Sequence, residues 1–262
     1  MDLFRFTPGS TPLLVNVPHA GTYIPEDLAN RMTDEALKTP DTDWHIDRLY
    51  DFALGMGAAM LVATHSRFVI DLNRPPEDVS LYPGQDVEGL LPLKTGANEP
   101  VYKPGQEPSD AERDLRRDAY HAPYHAKLAE TLEAIKAEHG YALLWDAHSI
   151  KSRLPRYFDG KLWDINLGTN GGKSCAPELQ QGLADVAAAT SDYTSIMNGR
   201  FIGGHITRHY GQPANKVHAV QLELSWAAYM DETYPYGYRE DLASGIQPVL
   251  QRFIQTMLAF KP

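Results

Sequence analysis

The chain has 262 residues, 43% of them hydrophobic, with a formal net charge of −10 and a single cysteine. This size and apolar content allow a large buried core, and one cysteine excludes an internal disulfide and fits a reducing compartment. The acidic charge argues against nucleic acid and anionic membrane surfaces as partners. The sequence shows neither an apolar run of membrane-spanning length nor a signal-peptide pattern, so we expect a cytoplasmic protein.

Strand-like and helix-like segments alternate along the chain without an internal repeat. The predicted strands are 13–17, 58–64, 68–73, 141–145 and 217–224. The predicted helices are 42–56, 109–140 with a kink or break at Pro123, 177–190 and 239–259. Between them, residues 75–108 are rich in Pro, Gly and Asp and predict a long loop that is functional or mobile. The alternation predicts one α/β domain over residues 1–262, built in three layers.

Three of the predicted strands lead into side chains that can bind a metal or transfer a proton. The first strand runs into His19, and the strand 141–145 runs into Asp146 and His148. The last strand carries Glu223. Ligands of open α/β sheets bind outside the carboxyl ends of the strands. Either histidine alone could be a turn or a partly buried histidine, but two at strand ends favour a metal site with Glu223 as general base.

A catalytic zinc site normally has three protein ligands and one open position, so a third ligand is required. The segment 41–47 supplies acids and one histidine at the start of a predicted helix. Acids in a first helical turn are also favoured for structural reasons alone. Asp43 is the preferred ligand, and Asp47 and His45 are the alternatives.

The last predicted strand places Gln221 and Glu223 on one face, together with two apolar residues. On a buried face these polar side chains would be costly unless they were paired or functional. The strand is therefore either a solvent-facing edge strand or one that delivers Glu223 to an active site.

Arginines accompany these segments. Arg67 and Arg74 flank the predicted strand 68–73, and Arg208 follows a pair of glycines. Surface arginines are mostly solubilising, but a guanidinium matches a carboxylate in bidentate fashion. Their clustering near the predicted metal segments of an acidic chain suggests a small substrate with more than one carboxylate.

Taken together, these motifs resemble those of the N-formylglutamate amidohydrolase family, from about residue 11 to the C-terminal helix. The segments that carry the resemblance are Pro18–Gly21, Ser66–Arg74, Asp146–Ser149, Asp164–Thr169, Gly203–Gly211 and Gln221–Glu223. The resemblance implies an αβα fold with a mixed central sheet, related to zinc carboxypeptidases and aspartoacylase. It also implies hydrolysis of N-formyl-L-glutamate to formate and L-glutamate in histidine degradation, with one divalent metal ion, Zn²⁺.

The resemblance further implies roles for the metal-binding and proton-transfer residues. His19 and His148 would bind the metal, and Glu223 would be the general base. Aspartoacylase and the zinc carboxypeptidases carry an acidic ligand three residues after the first histidine, where this chain has Thr22. The pattern of the formylglutamate family then implies Asp43 as the third ligand.

For the substrate, the resemblance implies contacts from Asn73 and Arg74, which look like the carboxylate clamp of the aspartoacylase group. Arg208 would hold the second carboxylate, and Arg67 would stabilise the developing oxyanion. The competing functions are another N-acyl-amino-acid amidohydrolase, a carboxypeptidase-like zinc hydrolase, or a non-catalytic binder of acidic metabolites. Glu223 argues against a pure binder, because a carboxylate in the site would repel an anion.

Overall fold

The computed structural model describes residues 1–81, 84 and 87–262, and within these residues seven strands form one sheet. The strands are β1 (Phe4–Thr7), β2 (Leu13–Val17), β3 (Ala59–Ala63), β4 (Ala142–Ile150), β5 (Ile165–Gly168), β6 (Ser195–Met197) and β7 (Val217–Ser225). They are arranged in the order β1-β3-β2-β4-β7-β5-β6. Strands β3, β2, β4 and β7 run parallel, whereas β1 and β5 are antiparallel to their inner neighbours. The predicted mixed central sheet is confirmed.

Helices cover both faces of this sheet. They are α1 (Glu26–Ala29), α2 (Asp34–Leu37), α3 (Ile46–Leu49), α4 (Phe52–Gly55), α5 (Asp110–Arg116), α6 (Ala122–His139), α7 (Pro177–Ala188), α8 (His205–Tyr210) and α9 (Glu240–Ala259). Apolar residues of α3, α4, α7 and α9 pack on one face, and those of α6 and α8 pack on the other. The three-layer prediction is therefore confirmed.

The central parallel strands are mainly apolar because they are covered on both faces. Every residue of β2 is buried; Leu13, Val15 and Val17 belong to one core cluster, and Leu14 belongs to the other. On β4, Trp145 is fully buried and stacks on Phe253 of α9 with ring centroids 5.9 Å apart. This rigid centre fixes the ends of β2, β4 and β7, which carry the polar residues described below.

Two predicted elements are wrong. The helix predicted over 42–56 is divided into α3 and α4, and His45 directly before α3 has a left-handed backbone with φ of 62°. The strand predicted over 68–73 forms turns, although most of its residues are buried. Its Asp71 N–H donates to the carbonyl of Leu90, 2.8 Å away, so the segment is covered by the following loop instead of joining the sheet.

The predicted interruption near Pro123 is a π-helical turn, Arg117–His121, between α5 and α6. Pro123 itself lies in the first turn of α6, directly after the π-helical turn, so the residue that lacks an N–H coincides with the change in helical hydrogen bonding. The turn directs His121 toward the carbonyl oxygen of Arg74, with Nε2 3.0 Å from it.

The shortest strands of the sheet were not predicted from the sequence. Strands β1, β5 and β6 have three or four residues each, too few for a recognisable periodicity. Strand β4 extends to Ile150, so His148 lies within the strand and not after it. Residues 82, 83, 85 and 86 of the predicted loop 75–108 lie outside the described residues, and its other residues form no helix or strand. No helix in the described part of the chain is long and apolar enough to cross a membrane.

Candidate active site

His19, Asp43 and His148 meet at the carboxyl ends of the central strands. His19 lies two residues after β2, His148 lies on the neighbouring β4, and the Asp43 N–H donates to the His19 carbonyl over 2.9 Å. Oδ2 of Asp43 is 3.1 Å from Nδ1 of His148 and 3.7 Å from Nδ1 of His19. All three side chains are buried. Of the possible third ligands, the structure brings Asp43 to the two histidines.

The opposite nitrogen of each histidine faces a second carboxylate. Nε2 of His19 is 2.7 Å from Oδ1 of Asp71, and Nε2 of His148 is 3.2 Å from Oδ2 of Asp146. Carboxylates in this position fix the ring and keep the proton on the far nitrogen. Both Nδ1 atoms are thereby left to face Asp43.

The cluster fits a divalent cation. Ligand atoms about 2.0–2.2 Å from a tetrahedral ion lie roughly 3.3–3.6 Å from each other, close to the two Asp43 distances. Four carboxyl groups are also buried together, those of Asp43, Asp71, Asp146 and Glu223. Buried carboxylates require compensating charge, and a cation would supply it between ligands of the N and O type that zinc accepts.

The surroundings shift the pKa values of the two histidines in opposite directions. Burial and the charge of Arg67 lower the pKa of His19, and together they outweigh the opposing effect of Asp71. Burial alone would also lower the pKa of His148, but the carboxylates of Asp146 and Asp43 raise it well above its ordinary value. His19 is therefore neutral, as metal ligation requires, whereas His148 must release a proton to become a ligand.

Glu223 lies beside the cluster on β7, directly opposite His148 of β4 in the parallel ladder. Strand β7 is interior, between β4 and β5, so the edge-strand alternative is excluded. Gln221 donates its side-chain N–H to Oε2 of Glu223 over 3.3 Å. Burial raises the pKa of Glu223 to about 8, which is typical of a carboxyl group that transfers protons near neutral pH.

A cavity opens over this cluster, and His19, His148 and Glu223 form part of its wall. Arg67 and Arg74 also line it. Arg67 donates to Oδ2 of Asp71 over 2.6 Å. Arg74 donates to the carbonyl oxygens of Glu88 and Asn73 over 2.9 and 3.2 Å. Both guanidinium groups are about one-fifth exposed, and each can therefore still meet a ligand in the cavity.

Asn73 also lines the cavity and is held in a fixed orientation. Its Oδ1 accepts the Ile206 N–H over 2.8 Å, and its Nδ2 lies 3.1 Å from Nε2 of His148. Gly204 is packed against this amide so closely that a Cβ atom would come within 2.4 Å of Nδ2. A glycine is thus required at 204 for Asn73 to reach the histidine.

Three other predicted residues lie away from the cavity wall. Arg208 is directed to main-chain oxygens of Gly203 and Leu81, at 2.8 and 3.3 Å. Of the alternative metal ligands, His45 lies 2.8 Å from the carbonyl oxygen of Tyr236, and Asp47 pairs with Arg5. Direct substrate binding by Arg208 stays a prediction, and its position favours a role in holding the turn at Gly203.

Sequence reasoning missed several residues of the site. Asp71 was included in the Ser66–Arg74 motif without a role of its own, although its spacing of four residues from Arg67 indicates an ion pair. Lys151 and Arg200 line the cavity, but no motif marked them. Lys151 follows the end of β4, three residues after His148, and this spacing could have placed it at the same edge.

The fold and site define an α/β protein with a buried His-Asp-His cluster and an adjacent glutamate. The chain matches the family model for N-formylglutamate amidohydrolase over residues 11–230. It is 50% identical over 258 residues to an N-formylglutamate deformylase of Pseudomonas putida, covering 98% of this chain and 96% of the relative. A protein of the same name from Pseudomonas aeruginosa is 49% identical, with 99% and 97% covered.

Solved structures show the same architecture. The N-formylglutamate amidohydrolase of Ralstonia eutropha JMP134 superposes with a TM-score of 0.81 at 24% identity, covering 98% of this chain and 96% of that one. A protein of Agrobacterium tumefaciens gives a TM-score of 0.76 at 19% identity, covering 99% and 96%. At these identities, the two structural similarities establish the fold alone. The family match and the close relatives show that the chain belongs to the N-formylglutamate amidohydrolase family.

Proposed function

We propose that the protein hydrolyses N-formyl-L-glutamate to formate and L-glutamate with the help of one divalent cation, most suitably Zn²⁺. The observation that carries this proposal is the buried His19, Asp43 and His148 cluster beside Glu223, at the floor of a cavity lined by arginines. Two relatives about half identical to this chain are named N-formylglutamate deformylase. The reaction would serve as the last step of a histidine degradation route.

His19, Asp43 and His148 would hold the cation. When bound, it supplies Lewis acidity, which polarises the formyl carbonyl and lowers the pKa of a water molecule. The nearby positive charge also favours the ionised form of Glu223, whose pKa burial otherwise raises to about 8.

Glu223 takes a proton from the attacking water as the water oxygen bonds to the formyl carbon. Arg67, fixed by Asp71, donates to the carbonyl oxygen as negative charge develops on it. Glu223 then passes the proton to the nitrogen of L-glutamate as the carbon–nitrogen bond breaks. The products are formate and the free amino acid, with one water consumed.

The substrate must also be oriented. Asn73 and Arg74 lie on the cavity wall and would bind the α-carboxylate. An anchored carboxylate fixes the amide against the reacting groups and so lowers the entropic part of the barrier. Arg208 would act from outside the wall by fixing Gly203.

The test is formate release from N-formyl-L-glutamate by purified protein, before chelation, after chelation and after zinc is restored. Activity that disappears with the chelator and returns with zinc is the expected result. No release from metal-loaded protein would overturn the deformylase proposal. A parallel panel of N-acetyl-L-glutamate, N-formyl-L-aspartate and a C-terminal dipeptide distinguishes the other amidohydrolase and peptidase activities.

A further inference from the structure

Lys151 is a cavity-wall residue whose charge the reaction described above does not use. It follows Ile150, the last residue of β4, and lines the same cavity as His148. Its Nζ lies 5.5 Å from the ring centroid of Trp226 and 5.5 Å from that of Tyr236. Two aromatic rings at this distance attract a cation and restrict where its side chain can lie.

The ammonium group of Lys151 makes no ion pair within 4.0 Å and no hydrogen bond with any described residue. Within the described part of the chain, its ammonium group instead faces the two aromatic rings. Asp41 is a partly exposed carboxyl group of the same cavity wall; burial raises its pKa, and Arg67, the Gly96 N–H and the charge of Lys151 lower it. It accepts the Gly96 N–H over 2.7 Å and forms no ion pair with Lys151 within 4.0 Å. Lys151 therefore brings to the cavity a positive charge that no carboxylate of the described residues contacts within 4.0 Å.

Other cationic side chains of the cavity wall have protein partners. Arg67 pairs with Asp71, and Lys94 donates to the side-chain oxygen of Asn98 over 3.1 Å. Arg200 donates to the carbonyl oxygen of Tyr157 over 2.8 Å. A half-buried cation without a carboxylate partner has lost part of its hydration, so an anionic ligand group is favoured beside it.

We propose that Lys151 binds the side-chain carboxylate of the substrate and thereby determines specificity for an acidic N-formylamino acid. This inference rests on the proposed deformylase function and extends it. Lys151 follows His148 by three residues, which in extended chain places their Cα atoms about 10 Å apart. The lysine therefore lies at the same end of β4 as His148 but farther from the metal cluster. The far carboxylate of an extended substrate would reach this part of the wall.

The proposal predicts discrimination between N-formyl-L-glutamate and N-formyl-L-glutamine, which have nearly the same shape but differ in charge. A charge-assisted hydrogen bond corresponds to a preference of about 10- to 100-fold for the acid. The variant Lys151→Met keeps the aliphatic stem between the two rings and removes the charge. We expect it to lose that preference, mainly through a higher KM for N-formyl-L-glutamate. Lys151→Arg should retain part of it.

The matched control is Lys94→Met, which removes a lysine from the same cavity wall that is already bonded to Asn98. Its selectivity should equal that of the wild-type protein. A purely structural role of Lys151 would lower turnover of both substrates equally and leave their ratio unchanged. An unchanged ratio in folded Lys151→Met protein would overturn the proposal.

Calorimetric binding of glutarate to the metal-loaded protein tests Lys151 without turnover. Binding that weakens about 10-fold or more in Lys151→Met supports the proposal. Equal binding to both proteins, or no binding to the wild type, contradicts it. This measurement separates the two levels of inference: absence of formate release would refute the proposed function, whereas the glutarate result addresses the carboxylate site itself.

Discussion

Asp71 joins the candidate metal ligand His19 to Arg67. One carboxylate oxygen lies 2.7 Å from Nε2 of His19, and the other accepts a hydrogen bond from Arg67 over 2.6 Å. Asp71 is fully buried, and burial alone would raise its pKa. The positive charges of Arg67 and Arg74 outweigh that effect and hold the pKa well below its usual range. The group is therefore a permanent anion that orients both neighbours.

Replacement of Asp71 by Asn should weaken metal binding by about 10- to 100-fold, because an amide orients a ligating histidine less well than a carboxylate. Competition with a chromophoric chelator measures the affinity. Asp47→Asn is the control, since Asp47 is outside the cluster and pairs with Arg5. Equal metal affinity in Asp71→Asn and wild-type protein would show that Asp71 does not support the site through His19.

Replacement of Glu223 by Gln should leave the metal bound and reduce turnover by about 10²- to 10⁴-fold, the usual contribution of general acid–base catalysis. The amide keeps the size of the side chain but cannot accept the proton of the attacking water. Metal content and formate release are measured on the same sample. Turnover near the wild-type rate would refute Glu223 as the base.

Removal of the metal should lower thermal stability, because an ion that binds only the folded state stabilises it by mass action. At a free concentration about 100 times Kd the gain is about 2.7 kcal/mol, or roughly 5–10 °C in Tm for a chain of this size. Thermal scans with zinc and with chelator measure the difference. Asp43→Asn, which loses one of the three clustered ligands, should show a much smaller shift. Equal shifts in both proteins would place the ion elsewhere.

The sequence predicted the interior of the fold better than its periphery. Strands β2 and β7 and helices α7 and α9 were predicted within about two residues, because continuous apolar runs and helical periodicity reflect burial directly. Burial also caused the error at 68–73. This segment is apolar because a loop covers it, and hydrophobicity alone does not distinguish a covered turn from a strand.

The same limit applies to the site. That His19, His148 and Glu223 lie together could be predicted because strand direction brings the ends of β2, β4 and β7 to one edge. The spacing of Lys151 from His148 indicates the same edge, but the sequence does not show whether the lysine forms an ion pair with a carboxylate there. Substrate binding by Arg208 was predicted from its motif alone. Its hydrogen bonds to the carbonyl oxygens of Gly203 and Leu81 depend on the path of the surrounding loops, which the motif does not reveal.

A cluster of histidines behind Arg74 should make stability depend on pH. The rings of His121 and His125 stack 4.0 Å apart, and His205 lies 5.5 Å from His125. Burial, followed by the charge of His121, lowers the pKa of His125 well below its ordinary value. Burial and neighbouring histidines lower that of His205 to about 4, against the opposing charge of Glu77.

These histidines are neutral in the folded protein but take up protons in the unfolded chain, where the pKa of histidine is about 6.5. The unfolded state therefore binds more protons between about pH 6.5 and pH 4, and the free energy of unfolding should fall as pH decreases through this window. Urea midpoints at about pH 7.5 and about pH 5 measure the effect on metal-loaded protein. His205→Asn removes one such group and should reduce the difference between the two midpoints. His139→Asn is the control, because His139 lies apart from the cluster at the end of α6. If both variants keep the wild-type pH dependence, the loss of stability comes from groups outside the cluster.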